Sequence, residues 1–398
     1  MNDRLTTALE QACHWIGDVA QIKTDALTFE SNVRGYDYGS WRGAIRGEYS
    51  VASREWDFFG PIWHTGQAVK ALCMASQFVD PGYCTRAARE GAQFILSNQI
   101  KSGEDEGCIL AYEDVGDKIN LSAVLECVDG LFHLSEMTGE QNYAQCAVRA
   151  LDWVARTAYI PGQGKIRDQY DPKTHQFSVP EHGYTKDGTP GRPLLDDAVF
   201  LRAYLHSRDS RFETIALEIA ERLIQDENPA GNWVDYHPCL PHLGAIHPRQ
   251  AYWWGYPMLA VFKHTGQARY LDQFRRSVAW YKQALRKDGG LFRHTYLDFG
   301  TDCFGHATSG VCCAAIMFVE EIRECQSEDT LPLLSKAVDY MLGMQFTRPV
   351  DTHLTGVVLE KVLPPNGTDC SPYYIRDLGT IFFIQAVSSI LVSQCFGD

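Results

Sequence analysis

A turn of one kind recurs along the chain between long helical patterns. Its clearest copies are Thr138-Gly139-Glu140-Gln141-Asn142-Tyr143 and Thr265-Gly266-Gln267-Ala268-Arg269-Tyr270. Looser copies are Val79-Asp80-Pro81-Gly82-Tyr83 and Ser207-Arg208-Asp209-Ser210-Arg211-Phe212. Taken in chain order, successive copies begin 59, 69 and 58 residues apart. A period of that size accommodates one antiparallel helix pair and a connection, so it predicts a string of α-hairpins. The aromatic residue that closes each turn is expected to pack back on the preceding helix.

Apolar residues spaced at i, i+3, i+4 and i+7 predict twelve helices of two characters. The segments 84–99, 140–157, 211–226, 267–286 and 329–345 carry a charged stripe, as in Arg86/Arg89/Glu90 and Glu218/Glu221/Arg222. An amphipathic helix over 3–21 adds a sixth. The segments 61–78, 120–137, 194–206, 248–264, 304–325 and 373–395 are apolar nearly all round, with Gly, Cys and Ala interleaved. A helix apolar on every side is buried on every side. Six such helices alternating with six striped ones predict an inner ring within an outer ring, an all-α (α/α)6 toroid. An open solenoid would have shorter repeats and shorter connections. Here long, aromatic-rich segments (22–60, 100–119, 158–193, 227–247 and 346–372) lead into the inner helices and are expected to build a pocket on one rim.

The chain has 398 residues, 45% of them hydrophobic, with no linker-like or low-complexity tract, and reads as a single domain over 1–398. Its net charge of −14, with no Lys/Arg cluster longer than two residues, argues against nucleic acid or an anionic membrane as partner. Thirteen cysteines lie scattered without a C-x-x-C, which fits buried free thiols and a reducing compartment. Neither a signal-peptide core nor a membrane-length apolar run is evident, so a cytoplasmic location is expected. A homo-oligomer remains open.

The first turns of inner helices should line the pocket, and they are rich in acids, aromatics and arginines. Trp56-Asp57 and His64 flank Pro61, which suits a helix N1 position. Arg192 precedes Asp196-Asp197, Arg249 precedes Trp253-Trp254, Arg293-His294 follows a Gly289-Gly290 turn, His306 opens a small-residue helix and Arg376 precedes Asp377. Carboxylates beside stacked aromatics are what glycoside chemistry requires: one acid protonates the leaving oxygen, a second carboxylate activates water or attacks. Burial beside Trp raises the acid's pKa towards neutrality. Adjacent helical positions point about 100° apart, so Asp196 and Asp197 should not both face one sugar atom. The partner acid should come from another inner helix, with Asp57 and Glu126 the best placed. Each of these residues also has a plain structural role open to it: a helix-dipole acid, a loop acid, a paired charge or a core aromatic. The His237-Pro238-Cys239-Leu240-Pro241-His242 segment with His247 matches no zinc spacing. Neither a phosphate-cradling glycine loop nor a dinucleotide fingerprint is evident, so no cofactor or metal is expected.

On the Trp56-Asp57 stretch, the Asp196-Asp197 helix start, the Asp288-Gly289-Gly290-Leu291-Phe292-Arg293-His294 turn and the His306-Ala307-Thr308-Ser309-Gly310 start, the chain resembles the six-hairpin glycosidases. Within them it looks most like the unsaturated glucuronyl and rhamnogalacturonyl hydrolases and related β-glucuronidases. The resemblance implies a cofactor-free enzyme that removes a terminal uronic acid from polysaccharide-derived oligosaccharides. Catalytic roles then fall to Asp196 or Asp197 with Asp57 or Glu126. Arg293 is the first candidate for the sugar carboxylate, with Arg192, Arg249, Arg376, His294, Trp56, His64, Trp253, Trp254 and His306 around the substrate. One departure stands out. The unsaturated glucuronyl hydrolases carry a catalytic Asp near the start of the helix corresponding to 120–137, which here reads Asn120-Leu121-Ser122-Ala123-Val124. Two rival readings are a sugar 2-epimerase of the N-acylglucosamine type using His64, His247, His294 or His306, and a non-catalytic helical-repeat scaffold.

Overall fold

The computed structural model describes residues 2–113, 116–178, 185–186, 188–189, 191–303, 305–362 and 374–396. Its helices are α1 Asn2–His14, α2 Pro61–Ala75, α3 Pro81–Ser97, α4 Leu121–Thr138, α5 Gln141–Thr157, α6 Val199–Ser207 and α7 Ser210–Gln225. They continue as α8 Gln250–Gly255, α9 Pro257–Thr265, α10 Ala268–Ala284, α11 Thr308–Cys325, α12 Leu331–Gly343 and α13 Leu378–Ser393. All twelve expected helical segments are present. The segment expected over 248–264 is divided into α8 and α9 at Pro257, where proline cannot donate to the preceding turn. The segment expected from 194 begins instead as a short 3-10 turn, Asp196–Ala198, because Asp197 and Ala198 are left-handed.

The recurring turn has a common mechanism. Gly139 and Gly266 end α4 and α9 with φ of 76° and 69°, the left-handed conformation glycine adopts most easily. The hydroxyls of Thr138, Ser207 and Thr265 each accept from the N–H two residues on, which leads the chain into the outer helix. Tyr143, Phe212 and Tyr270 are buried, as the turn pattern predicted.

Inner and outer helices separate as their patterns require. Every residue of α2 but Met74 is buried, and α4, α11 and α13 are buried over most of their lengths. The striped helices α3, α5, α7 and α10 bury one face only. The inner helices touch in sequence, α2 on α4, α4 on α6, the 196–198 turn on α8 and α9, α8 on α11, α11 on α13 and α13 back on α2. The ring is closed, and the fold is an (α/α)6 toroid. Short β-segments brace its rim: 47–50 pairs antiparallel with 55–58 and with 374–376, and 119–120 pairs with 169–171, which pairs with 176–178.

Ring closure brings α2 and α4 into backbone contact. A Cβ on Gly66 would sit 2.3 Å from the Cα of Cys127, and one on Gly130 would sit 2.1 Å from the carbonyl oxygen of Gly66. Gly66→Ala and Gly130→Ala are therefore expected to destabilise the protein by about 1–3 kcal/mol or more through overpacking. Gly139→Ala meets nothing within 4 Å and should cost only the left-handed penalty of about 1–2 kcal/mol. Urea unfolding midpoints of the three variants check the order.

Candidate active site

Where the inner helices begin, α2, α4, the 196–198 turn and α8 surround a cavity with about 500 Å³ of empty space, part of it open to solvent. Its wall is made by Trp63 from α2, Asn120, Ser122 and Glu126 from the start of α4, and Arg192, Leu194 and Asp196 before α6. Arg249, Gln250, Trp253 and Trp254 come from the start of α8, while Glu113, His237 and Pro238 come from the long connections.

The adjacent acids part company. Asp196 is 3% exposed and lines the cavity, and its Oδ2 has no hydrogen-bond partner among the described residues. Burial pushes its carboxyl up to about 8; Arg192 opposes that shift and Asp197 adds to it. Asp197 points into the ring interior, where Lys70 Nζ lies 2.7 Å from its Oδ1 and Gln67 Nε2 3.3 Å from its Oδ2. The left-handed turn separates the two side chains, and Asp197 serves as a structural counter-ion outside the cavity wall.

Glu126 is the second acid in the wall, 4% exposed. Its Oε2 accepts from the indole N–H of Trp63 at 2.7 Å and of Trp253 at 3.2 Å. Burial, with the negative charges of Asp196 and Asp197, pushes its carboxyl well above the usual range against the pull of Trp63 and Arg249. Two desolvated acids thus face one space, and ionising either makes the other hold its proton more tightly.

The arginines divide as well. Arg249 is buried against the faces of Trp253, Trp63 and Phe382, with its guanidinium carbon 4.8, 5.8 and 5.8 Å from their centroids. One terminal nitrogen donates to Ser309 Oγ at 3.3 Å, while its Nε is buried without a hydrogen-bond partner. Ser309 is itself gripped by Glu360, which accepts from its N–H at 2.8 Å and from its hydroxyl at 2.6 Å. Arg192 is tied to the buried Asp168 and donates to the His237 carbonyl at 2.5 Å.

Several expected site residues lie elsewhere. Asp57 pairs with Arg34 at 3.1 Å, and Arg376 pairs with Glu48 opposite it on the paired strands, its guanidinium 4.1 Å from the Phe59 centroid. Trp56 is core, packed between Trp15 and Tyr49. His64 is fully buried against Asp377 at the α2–α13 seam. His294 pairs with Asp302 at 2.7 Å, and His306 is held between Arg286 and Tyr340. Arg293 lies on the 287–306 connection and is not among the residues of the cavity wall. Local sequence cannot distinguish these positions from a pocket role.

Trp63 and Gln250 are wall residues to which the sequence assigns no site role. Gln250 has the clearer signal, since it follows Arg249 in the first turn of an inner helix; it is fully buried, and neither amide atom has a hydrogen-bond partner among the described residues. His237 is held down to about 3 by burial and by Arg192, so it is neutral in the wall. Asn120 caps α4 by accepting from the N–H of Ser122 at 3.0 Å and of Ala123 at 3.4 Å. Its amide meets Glu113.

The architecture has solved counterparts. The cellobiose 2-epimerase from Bacillus thermoamylovorans B4167 matches with a TM-score of 0.71 at 11% identity, over 97% of this chain and 98% of that one. An unsaturated glucuronyl hydrolase specific for heparin matches with a TM-score of 0.66 at 12% identity, over 98% of this chain and 97% of that one. A D-mannose isomerase matches with a TM-score of 0.69 at 10% identity, over 98% and 97%. These likenesses show a shared (α/α)6 toroid fold. No protein-family model and no curated protein sequence matches it. No described helix is long and apolar enough to cross a membrane.

The raised Asp196 carboxyl has a consequence for stability. Its folded pKa lies above the ordinary value of 3.8, so the folded state binds the proton more tightly. Stability conferred by that proton is full at low pH and is lost as pH rises towards about 8. Asp196→Asn removes the loss. Thermal unfolding should show the variant gaining on the wild type between about pH 5 and about pH 9, and a constant difference would refute the burial of an unpaired acid.

Proposed function

We propose that the protein is a glycoside hydrolase that releases a terminal uronic acid from oligosaccharides, with Asp196 as proton donor. Structures sharing this fold include sugar epimerases, an isomerase and a glucuronyl hydrolase, which supports a carbohydrate substrate. The observation that carries hydrolysis is the pair of buried carboxyls, Asp196 and Glu126, in one aromatic-lined cavity. Trp63 and Trp253 line the cavity, each holding Glu126 with its indole N–H and Arg249 against its ring. Arg249 takes the role first expected of Arg293. It is desolvated, held by three aromatic faces and has no carboxylate paired with it among the described residues. A sugar carboxylate would supply that charge in a bidentate contact.

In this reading the Asp196 proton passes to the glycosidic oxygen as the bond to the anomeric carbon breaks. Water adds to that carbon and gives its proton to the ionised form of Glu126, which two indole N–H groups and Arg249 support against the burial that raises its carboxyl. Proton return through solvent restores the pair, so one water is consumed per bond cleaved. His64 pairs with Asp377, His294 with Asp302 and His306 with Arg286 and Tyr340, while His247 stacks on Trp253 at 5.3 Å. His237 in the wall keeps an epimerase as the second reading, although a ring held down to about 3 by burial and Arg192 is a weak base.

Asp196→Asn should lower kcat/KM on a nitrophenyl uronoside or an unsaturated disaccharide by roughly 10²–10⁴-fold. Wild-type activity should fall as pH rises through about 8, where the donor loses its proton, and fall also on the acid side, where Glu126 is protonated and cannot act as base. Arg249→Lys should impair uronosides far more than matching neutral glycosides. Equal wild-type turnover of glucuronides and glucosides would end the uronic-acid reading, and isomer formation at the reducing end without hydrolysis would install the epimerase.

A further inference from the structure

Below the cavity, a buried ion cluster occupies the inner ring at the level of Lys70. Lys70 Nζ lies 2.7 Å from Asp197 and 3.0 Å from Asp129, and Asp129 is paired in turn with Arg202, which also meets Glu136 at 2.8 Å. Burial opposes the charge on Lys70, but Asp129 and Asp197 outweigh it and hold the ammonium well above its usual range. One amide links both halves of the cavity wall. Gln67 Nε2 is 3.3 Å from Asp197 and 2.9 Å from the backbone carbonyl of Glu126, while Gln67 Oε1 accepts from Gln385 of α13 at 3.0 Å.

The segment held by this cluster is strained. Asp197 has φ 49° and ψ 15°, and Ala198 has φ 51° and ψ 35°. Two consecutive left-handed non-glycine residues persist only where surrounding contacts over-determine them. The contacts here are on Asp197, and the residue displaced by the turn is Asp196.

We infer that Lys70, Gln67 and Asp197 are positioning residues for Asp196: their ion pair and amide contacts clamp the left-handed turn that presents the Asp196 carboxyl unpartnered to the cavity, at a fixed place relative to Glu126. This rests on the reading of Asp196 as the acid, but its geometric part does not. The clamp also acts through charge. The groups that bear on Asp196 are Arg192, Asp168, Asp197 and Glu126, and those facing Asp197 are Lys70, Tyr252, Tyr256, Glu126 and Asp196. Removing the negative charge of Asp197 lowers the proton affinity of Asp196. Removing the positive charge of Lys70 leaves Asp197 less neutralised and raises it. The two changes have opposite signs, whereas mere loosening of a core would move both alike.

The test uses full-length Asp197→Asn, Asp197→Ala, Lys70→Met and Lys70→Arg. Asparagine tolerates the left-handed conformation and keeps a hydrogen-bond acceptor, so Asp197→Asn should retain the fold if Asp197→Ala does not. Carbon-13 NMR of labelled aspartate carboxyls, with the Asp196 signal identified by its loss in Asp196→Asn, should show its titration moving down in Asp197→Asn and up in Lys70→Met. Lys70→Arg should restore it. Turnover of the uronoside in Asp197→Ala should fall on the order of 10²-fold, the loss expected for misplacing a reacting group by about 1 Å, and less in Asp197→Asn. An Asp196 titration unchanged in both charge variants, or moved in the same direction by both, overturns the clamp. A wild type that turns over no uronoside refutes the proposed function instead and leaves the titration arm to decide this one.

Discussion

Closing six helices into an inner ring removes almost all of their surface from water, and every polar group on that ring must then find a partner inside it. The Lys70–Asp129–Arg202 cluster is how this ring meets the requirement. Burying isolated charges would cost several kcal/mol each, whereas here each ammonium or guanidinium faces more than one carboxylate. Gln67 and Gln385 extend the same bonding from α2 to α13 across the seam where the ring closes. The toroid is therefore held by apolar packing outside the polar axis and by reciprocal charge along it.

Against that background an unpartnered polar group stands out. Asp196 and Gln250 are buried as deeply as Asp129, yet atoms of each lack the partners that the axis provides for its own charges. Both lie in the cavity wall at first turns of inner helices. Leaving a buried donor or acceptor unmade costs about 1–3 kcal/mol, which folding alone does not favour. A ligand that supplies the missing partners recovers that energy on binding, and a proton held by a desolvated acid is available for transfer.

Much of this was legible in the sequence. The spacing of Thr138-Gly139 and Thr265-Gly266 and the contrast between all-round and striped helices fixed the hairpins, because both follow from local rules that tertiary structure did not override. Glu126 could be singled out because an acid inside Leu121–Leu131 has to be paired or functional. The divergence of Asp196 from Asp197 was foreseeable as a separation of directions, but not which acid turned inward; that depends on a left-handed pair of residues that neither Asp nor Ala advertises. The arginines were harder still. Arg249 and Arg376 both stand near inner-helix starts, and only the long-range pairing of 47–50 with 374–376 shows that Arg376 is taken by Glu48.

The contrast between those two arginines bears on how an acidic protein can hold an anion. The net charge of −14 is dispersed over the whole chain, and charges beyond about 8–10 Å are screened in physiological salt. Arg249 lies within a wall of Trp63, Trp253 and Phe382, where there is little water to screen it. The aromatic faces stabilise the cation without neutralising it, as a carboxylate would. A guanidinium kept charged in this way attracts an anion across the short distance inside the cavity more strongly than the remote surface repels it. The same cation draws on Glu126 and so biases which of the two acids ionises first. Ligand charge and proton placement are thereby coupled through one residue: an anion neutralising Arg249 would weaken its hold on the Glu126 anion and raise that carboxyl's proton affinity.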